Sequence, residues 1–401
     1  MTWLKVGVDW VRKAKQDKVN RTILVIGLTS RFIVFFSAIV GYYTIGVRER
    51  LPNDVMWDIG LPIVHLFNRW DSGHYINIAL NWYSVGPSEA WAFFPLYPAI
   101  IRIASSPLMS FMRPDQAIAL GGFMISNALF FVLIFCFYKL SVTVLKNSDM
   151  ALLSTIIFSL WPGSLFFSCV YTESVFMVLM VCSLYFLERN KTSLAMILGF
   201  LAGWTRSNGF LIFIPFLYKA IEKRNKTLVL QSVIVSLPYL LFNIYGFVVT
   251  KIFPIREWVY AKYWHQPTPT VFLQLLDYPL PPGVPKMGYT MIAFVELVFA
   301  IAPAIHLLFS KDRLIATLSF GFKKKHVEAK YYALALVLLS SMLLYGTIHN
   351  LHRYALALIP LYWILARIVR RSEITKIALL STITAMLVIG TILFATWRWY
   401  L

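Results

Sequence analysis

From Thr22 to Gly46 the chain is apolar for long enough to cross a lipid bilayer as one helix, and similar runs recur to its C-terminal end. A span needs roughly twenty apolar residues, because a helix rises about 1.5 Å per residue through a hydrocarbon core about 30 Å thick. Inside that core every backbone N–H and C=O must find a partner within the protein, so a chain of this kind folds as a bundle of helices. With 59% hydrophobic and only 14% charged residues, a soluble domain is excluded. The run at Thr22 comes after a basic stretch, is too long for a signal-peptide core and lacks a small-residue cleavage site. It reads as a retained anchor.

The formal net charge of +19 would suit a nucleic-acid binder if it formed one patch, but it is spread through short segments between apolar runs. The spacing predicts nine spans, at 22–46, 118–140, 151–167, 170–187, 228–252, 289–309, 331–348, 354–371 and 376–397. With the N-terminus inside, 24 of the 37 Lys and Arg fall in the inside segments 1–21, 139–149, 188–193, 219–226, 311–330 and 367–376. That is the positive-inside bias of an integral membrane protein. The block Lys323-Lys324-Lys325 is then a topology signal, and no nucleic-acid partner is expected.

Two segments break the pattern. As a single span, 194–218 would place Lys219, Lys223, Arg224 and Lys226 outside, and its centre, Thr205-Arg206-Ser207-Asn208-Gly209, is too polar for lipid. A re-entrant hairpin of two half-helices keeps those charges inside, since irregular backbone survives at depth only when buried in protein or lining a cavity. Segment 92–112 is apolar but interrupted by Pro95, Pro98, Arg102 and Pro107, which predicts interfacial helices lying on the bilayer. Residues 47–117 form the first outer loop and 253–288 the second, within one membrane domain over 1–401 whose residues 1–21 are a cytoplasmic basic segment. Cys136, Cys169 and Cys182 sit in apolar runs with no metal or redox spacing, which predicts packing roles.

Acids are scarce, 18 in all, so those near the apolar layer stand out. Asp71, in Arg69-Trp70-Asp71-Ser72-Gly73-His74-Tyr75, is either a proton acceptor held among aromatics or the N-cap of the next helix. Glu173, in Tyr171-Thr172-Glu173-Ser174, either shapes a site at membrane depth or holds a turn through a capping box or salt bridge. Asp54 and Asp58 read as solvated loop acids. Arg353, in His349-Asn350-Leu351-His352-Arg353-Tyr354, is placed to hold a phosphate or to snorkel to the interface. Arg206 ties the hairpin or meets substrate, and Arg256, Lys262 and His265 are weaker candidates. His349 and His352 have i, i+3 spacing but no carboxylate–His cluster beside them, so no metal is expected. No P-loop, dinucleotide fingerprint or Gly-x-Ser-x-Gly elbow occurs, and no cofactor is implied.

In order along the chain, Arg69-Trp70-Asp71, then Ala92-Phe93-Phe94-Pro95-Leu96-Tyr97-Pro98, then Tyr171-Thr172-Glu173-Ser174 and Arg206-Ser207-Asn208-Gly209 resemble the motifs of the PIG-V mannosyltransferases, and His352-Arg353-Tyr354 is similar to that family's late basic motif. The resemblance spans about residues 22–371. It implies an all-α, polytopic GT-C glycosyltransferase that uses a polyprenyl- or dolichyl-phosphate sugar, usually mannose. It places the site at the non-cytoplasmic face, with Asp71 in the position of the catalytic base and the sugar transferred with inversion. Eukaryotic members add the second mannose of the GPI anchor. This shorter chain with compact outer loops looks like a prokaryotic homologue in a plasma membrane, acting on a lipid or cell-envelope acceptor. On that reading Arg353 and His352 steady the departing lipid phosphate, while Glu173 and Arg206 position substrate. Arg69, Trp70, His74, Tyr75, Phe94 and Tyr97 line the sugar pocket or guide the prenyl chain. The rivals are a lipid flippase or transporter, against which the chain shows no repeated halves, and a supporting subunit of another enzyme.

Overall fold

The computed structural model describes residues 2–47, 60–84, 86–263, 328–344 and 351–398. Asp54, Asp58, His265, His349, Lys323-Lys324-Lys325, the predicted span 289–309 and most of the second outer loop lie outside the described residues. Among those described, every regular element is a helix. Four helices are long and apolar enough to cross a bilayer: Asp17–Ile45 (within the longer helix Thr2–Ile45), Pro114–Leu145, Lys226–Thr250 and Glu373–Ala395. They leave large apolar side chains exposed, among them Phe32 and Phe36 on the first and Val229, Leu230 and Val233 on the third. An acyl-chain environment covers such stripes at no cost.

Several predicted spans are shorter as helices than hydropathy implies. The run 151–167 forms a helix only over Ser148–Ser159. The cause is Pro162, which lacks an N–H to donate and forces Trp161 out of the helical region, to φ −57, ψ 141. From Trp161 to Thr172 the chain is a tight turn, Pro162–Phe167, and then irregular backbone, all of it buried. The run 354–371 likewise splits: Pro360 sits in the first turn of the helix Ile359–Val369 rather than inside a longer one. In 194–218 the polar centre separates the helix Thr192–Gly203 from a short turn Ser207–Ile212 and the helix Phe213–Lys223. Asn147 and Asn225 open their helices by accepting from the backbone N–H of Met150 and Leu228, at 2.9 and 3.2 Å.

The residues expected as the first outer loop share a buried core with the long helices. Their helices Pro62–Phe67, Ser72–Asn81 and Leu96–Ser105 and the turn Glu89–Ala92 bury Phe67, Tyr75, Tyr97 and Trp91 in one core with Phe242 and Phe394 of the long helices. Arg102 fastens this region internally, donating to the carbonyls of Ala79 and, at 2.7 Å, Leu80 at the end of Ser72–Asn81. Ile103 and Phe111 remain outward, 73% and 85% exposed. The effect is to bring residue 71 down onto the buried segment 161–172.

Candidate active site

Asp71 is presented by a constrained turn. Trp70, just before it, has φ +51, in the left-handed region that a bulky residue adopts only when its surroundings enforce it. Two neighbours do so. The Trp70 ring packs on Trp397 with centroids 4.7 Å apart, and the Arg69 guanidinium lies over the same Trp397 ring while donating to the carbonyl of Ala395 at 3.1 Å. From the other side, the Tyr171 hydroxyl donates to the Arg69 carbonyl and accepts from the Asp71 N–H, each at 3.1 Å. Asp71 occupies the N-cap position of Ser72–Asn81, yet its side chain makes no capping hydrogen bond. Its carboxylate is turned instead to Arg353.

There the acids and cations that stand apart in sequence join into one chain. Arg353 Nη1 donates to Asp71 Oδ2 at 2.8 Å, and Arg353 Nε donates to Glu173 Oε1. Arg206 Nη1 donates to that same Glu173 oxygen and, at 3.2 Å, to Thr172 Oγ1. Two carboxylates and two guanidinium groups alternate, so their formal charges cancel. Exposure is least inside the line, Glu173 2% and Arg353 7%, and greater at its two ends, Arg206 15% and Asp71 33%. Asp71 is the wet end. Aromatic faces cover the cations, with the Arg353 guanidinium 4.5 Å from the Tyr171 ring centre and Arg206 5.5 Å from that of Tyr354. Burial opposes the charge on Arg353, but the carboxylates of Glu173 and Asp71 outweigh it and hold its pKa well above the ordinary range. It stays a cation throughout the accessible pH range.

Tyr75 sits beside this chain, its hydroxyl 3.4 Å from Thr172 Oγ1. Burial pushes its phenol above the usual range, so it is a neutral hydrogen-bonding group and not a base. His74 is farther out, stacked on Phe93 at 4.7 Å and with Nε2 3.7 Å from Glu89 Oε2. The remaining predicted residues serve the framework. Phe94 packs on Phe242 at 4.4 Å, and the Tyr97 hydroxyl meets Ser126 Oγ at 3.1 Å; both are buried core side chains. His352 is fully buried with its ring 5.6 Å from Phe166, and its carbonyl accepts from Trp161 Nε1 at 3.0 Å. Arg69 is committed to the C-terminal end of the last helix. Of the weaker candidates, Arg256 lies over Tyr260 and Lys262 over Trp258, at 4.4 and 4.6 Å. Tyr171 and Thr172 are site residues to which sequence reasoning assigned no role. Their position directly before Glu173 in an acid-bearing polar tetrapeptide is the signal that marks them.

The family model for mannosyltransferases of the PIG-V type matches residues 63–397, which takes in all four members of the ion chain. This chain belongs to the PIG-V mannosyltransferase family. Among curated PIG-V relatives, the GPI alpha-1,6-mannosyltransferase 2 of Rattus norvegicus is 28% identical over 201 residues, which is 45% of this chain and 40% of that protein. GPI mannosyltransferase 2 of Schizosaccharomyces pombe is 29% identical over 143 residues, 35% of this chain and 29% of that protein. The aligned parts thus span less than half the length of these relatives. Among solved structures, an oligosaccharyltransferase of Archaeoglobus fulgidus aligns over 91% of this chain and 52% of its own, with 13% identity and a TM-score of 0.42.

Proposed function

We propose that this PIG-V-type chain is a GT-C glycosyltransferase that moves a sugar, mannose, from a polyprenyl-phosphate donor to a lipid or cell-envelope acceptor. The observation that carries this reading is the half-wet Asp71 carboxylate bonded to a buried Arg353 at 2.8 Å. An acid that can take a proton stands next to a fixed cation that can hold a phosphate. The acceptor hydroxyl oxygen attacks the anomeric carbon while its proton passes to Asp71. The bond from that carbon to the phosphate oxygen breaks, and polyprenyl phosphate departs with inversion at the sugar. Arg353 lies where negative charge grows on the leaving oxygen, and Glu173 with Arg206 holds it there. The scatter of inside charges supports a site at the non-cytoplasmic face, and the whole of 1–401 acts as one membrane domain.

The test is transfer of labelled mannose from a polyprenyl-phosphate donor by the purified protein. Asp71→Ala is expected to abolish it while leaving expression and the thermal midpoint near wild type. Transfer that persists in Asp71→Ala rules out this residue as the base. Transfer that requires a second added protein removes the enzyme assignment from this chain.

A further inference from the structure

The first long helix carries Arg31, a cation only 3% exposed in the middle of a span. Among the described residues its guanidinium meets no carboxylate. Nη1 donates to Ser168 Oγ at 2.7 Å, and Nη2 donates to Ser30 Oγ at 3.1 Å and Ser164 Oγ at 3.2 Å. Its face lies 4.0 Å from the centre of the Phe130 ring. A charge so placed is expensive, and an apolar side chain of similar volume is generally better tolerated in membrane-spanning helices. Packing alone therefore gives no reason for an arginine here.

The acceptors supply one. Ser164 lies in the buried turn Pro162–Phe167 and Ser168 in the irregular backbone that follows it, in a segment that continues neither neighbouring helix. Ser30 adds a bond from the same helix to the carbonyl of Ser159, where the preceding helix stops. Both ends of this segment bear on the ion chain. Its far end leads into Tyr171, Thr172 and Glu173. Its near end supports Arg353 from behind: Trp161 donates to the His352 carbonyl at 3.0 Å, and Gly163 has no side chain where that carbonyl passes. Glu173 and Arg353 are 180 residues apart in sequence, yet both lean on the strut that Arg31 pins at its middle.

We infer that Arg31 is a positioning residue for the transfer reaction: by clamping Ser164 and Ser168 it sets the separation of Glu173 and Arg353, and so the aim of Arg353 at the donor phosphate. This rests on the function proposed above. Arg31→Met should leave the thermal midpoint at or above the wild-type value while kcat falls about 10- to 100-fold, the usual penalty of an ångström-scale misplacement, with donor KM little changed. Arg31→Lys, which keeps a charge for the serines, should recover part of kcat. Should Arg31→Met not yield folded protein, the double variant Ser164→Ala/Ser168→Ala removes the clamp from its other side and is expected to show the same loss of kcat.

A second readout needs no turnover. In protein labelled with nitrogen-15 arginine, the Nε–H resonance of Arg353, assigned by its loss in Arg353→Lys, should move in Arg31→Met and move less in Arg31→Lys. Wild-type kcat in Arg31→Met, or an Arg353 resonance unmoved by it, overturns the inference. Persistence of transfer in Asp71→Ala would instead sink the proposed function and leave the resonance experiment standing on its own.

Discussion

Asp71 and Glu173 are bound to the same arginine, but exchanging each for its amide should do opposite things. In Glu173→Gln the oxygen shared by Arg353 and Arg206 loses its charge. Each charge-assisted bond to it is worth about 1.5–3 kcal/mol, and a neutral amide oxygen retains part of that. Two guanidinium groups are then left with one acid between them in a largely dry setting. The net loss is about 2–4 kcal/mol. Asp71→Asn breaks one bond at a side chain 33% exposed, where water and salt screen the interaction, and Arg353 keeps Glu173. That loss is about 1 kcal/mol or less. For transfer the order reverses in kind: Asp71→Asn removes the proposed proton acceptor, with an expected loss of about 10²- to 10⁴-fold in kcat. Thermal unfolding in detergent and transfer of labelled mannose, run on the same two preparations, measure both quantities. If Asp71→Asn lowers the midpoint as far as Glu173→Gln, or still transfers sugar at the wild-type rate, the division into a chemical and a structural acid is wrong.

Arg353→Lys replaces a planar fork that reaches two carboxylates with a point charge that cannot, so kcat should fall about 10²- to 10³-fold with donor KM little changed, measured by steady-state kinetics in donor concentration. Gly163→Ala would drive a methyl into the His352 carbonyl and to 3.2 Å from the Arg353 Cα, neither of which can give way freely. It should cost about 1–3 kcal/mol of stability by thermal unfolding, and lower transfer in parallel. Lys219, 4% exposed and donating to the Leu187 carbonyl, is lowered to about 8 from 10.5, first by burial and then by the neighbouring Lys330 ammonium. Its folded-state pKa lies below the unfolded one, so its charge costs stability fully below pH 8, and that cost is relieved as pH rises from 8 toward 10.5. Lys219→Met should therefore be more stable than wild type at neutral pH, with the difference shrinking as the midpoint is measured toward pH 10.5.

The members of the ion chain stand out in sequence because charge is scarce in this chain: Asp71, Glu173, Arg206 and Arg353 lie against an apolar background. That Asp71 and Arg353 stand near one another is expected from the resemblance, but their direct ion pair is not, since they are 282 residues apart and nothing local joins them. Tyr171 was hidden for the opposite reason, being one of 21 tyrosines in an aromatic-rich chain. The long helices could be read from hydropathy, yet hydropathy also carried the predicted span 151–167 straight through Trp161-Pro162-Gly163, where the helix ends at Ser159. Apolar composition reports burial and is blind to whether the buried backbone is helical; the Pro-Gly pair was the local sign of the break. Phe94 and Tyr97 share a motif in sequence but are both buried, Phe94 against Phe242 and Tyr97, on the helix Leu96–Ser105, beside Ser126.

No charge in the quartet owns its partner: one glutamate oxygen serves both arginines, and one arginine serves both acids. Removing Arg353 strands Asp71 and removing Glu173 strands Arg206, so the four single substitutions will report overlapping losses whose sum exceeds that of changing all four together. Compensated double exchanges should be milder than the worse of their parents. Among homologous chains these positions are accordingly expected to vary in concert, and a solitary charge change at one of them would mark a chain released from the selection that keeps the others in place.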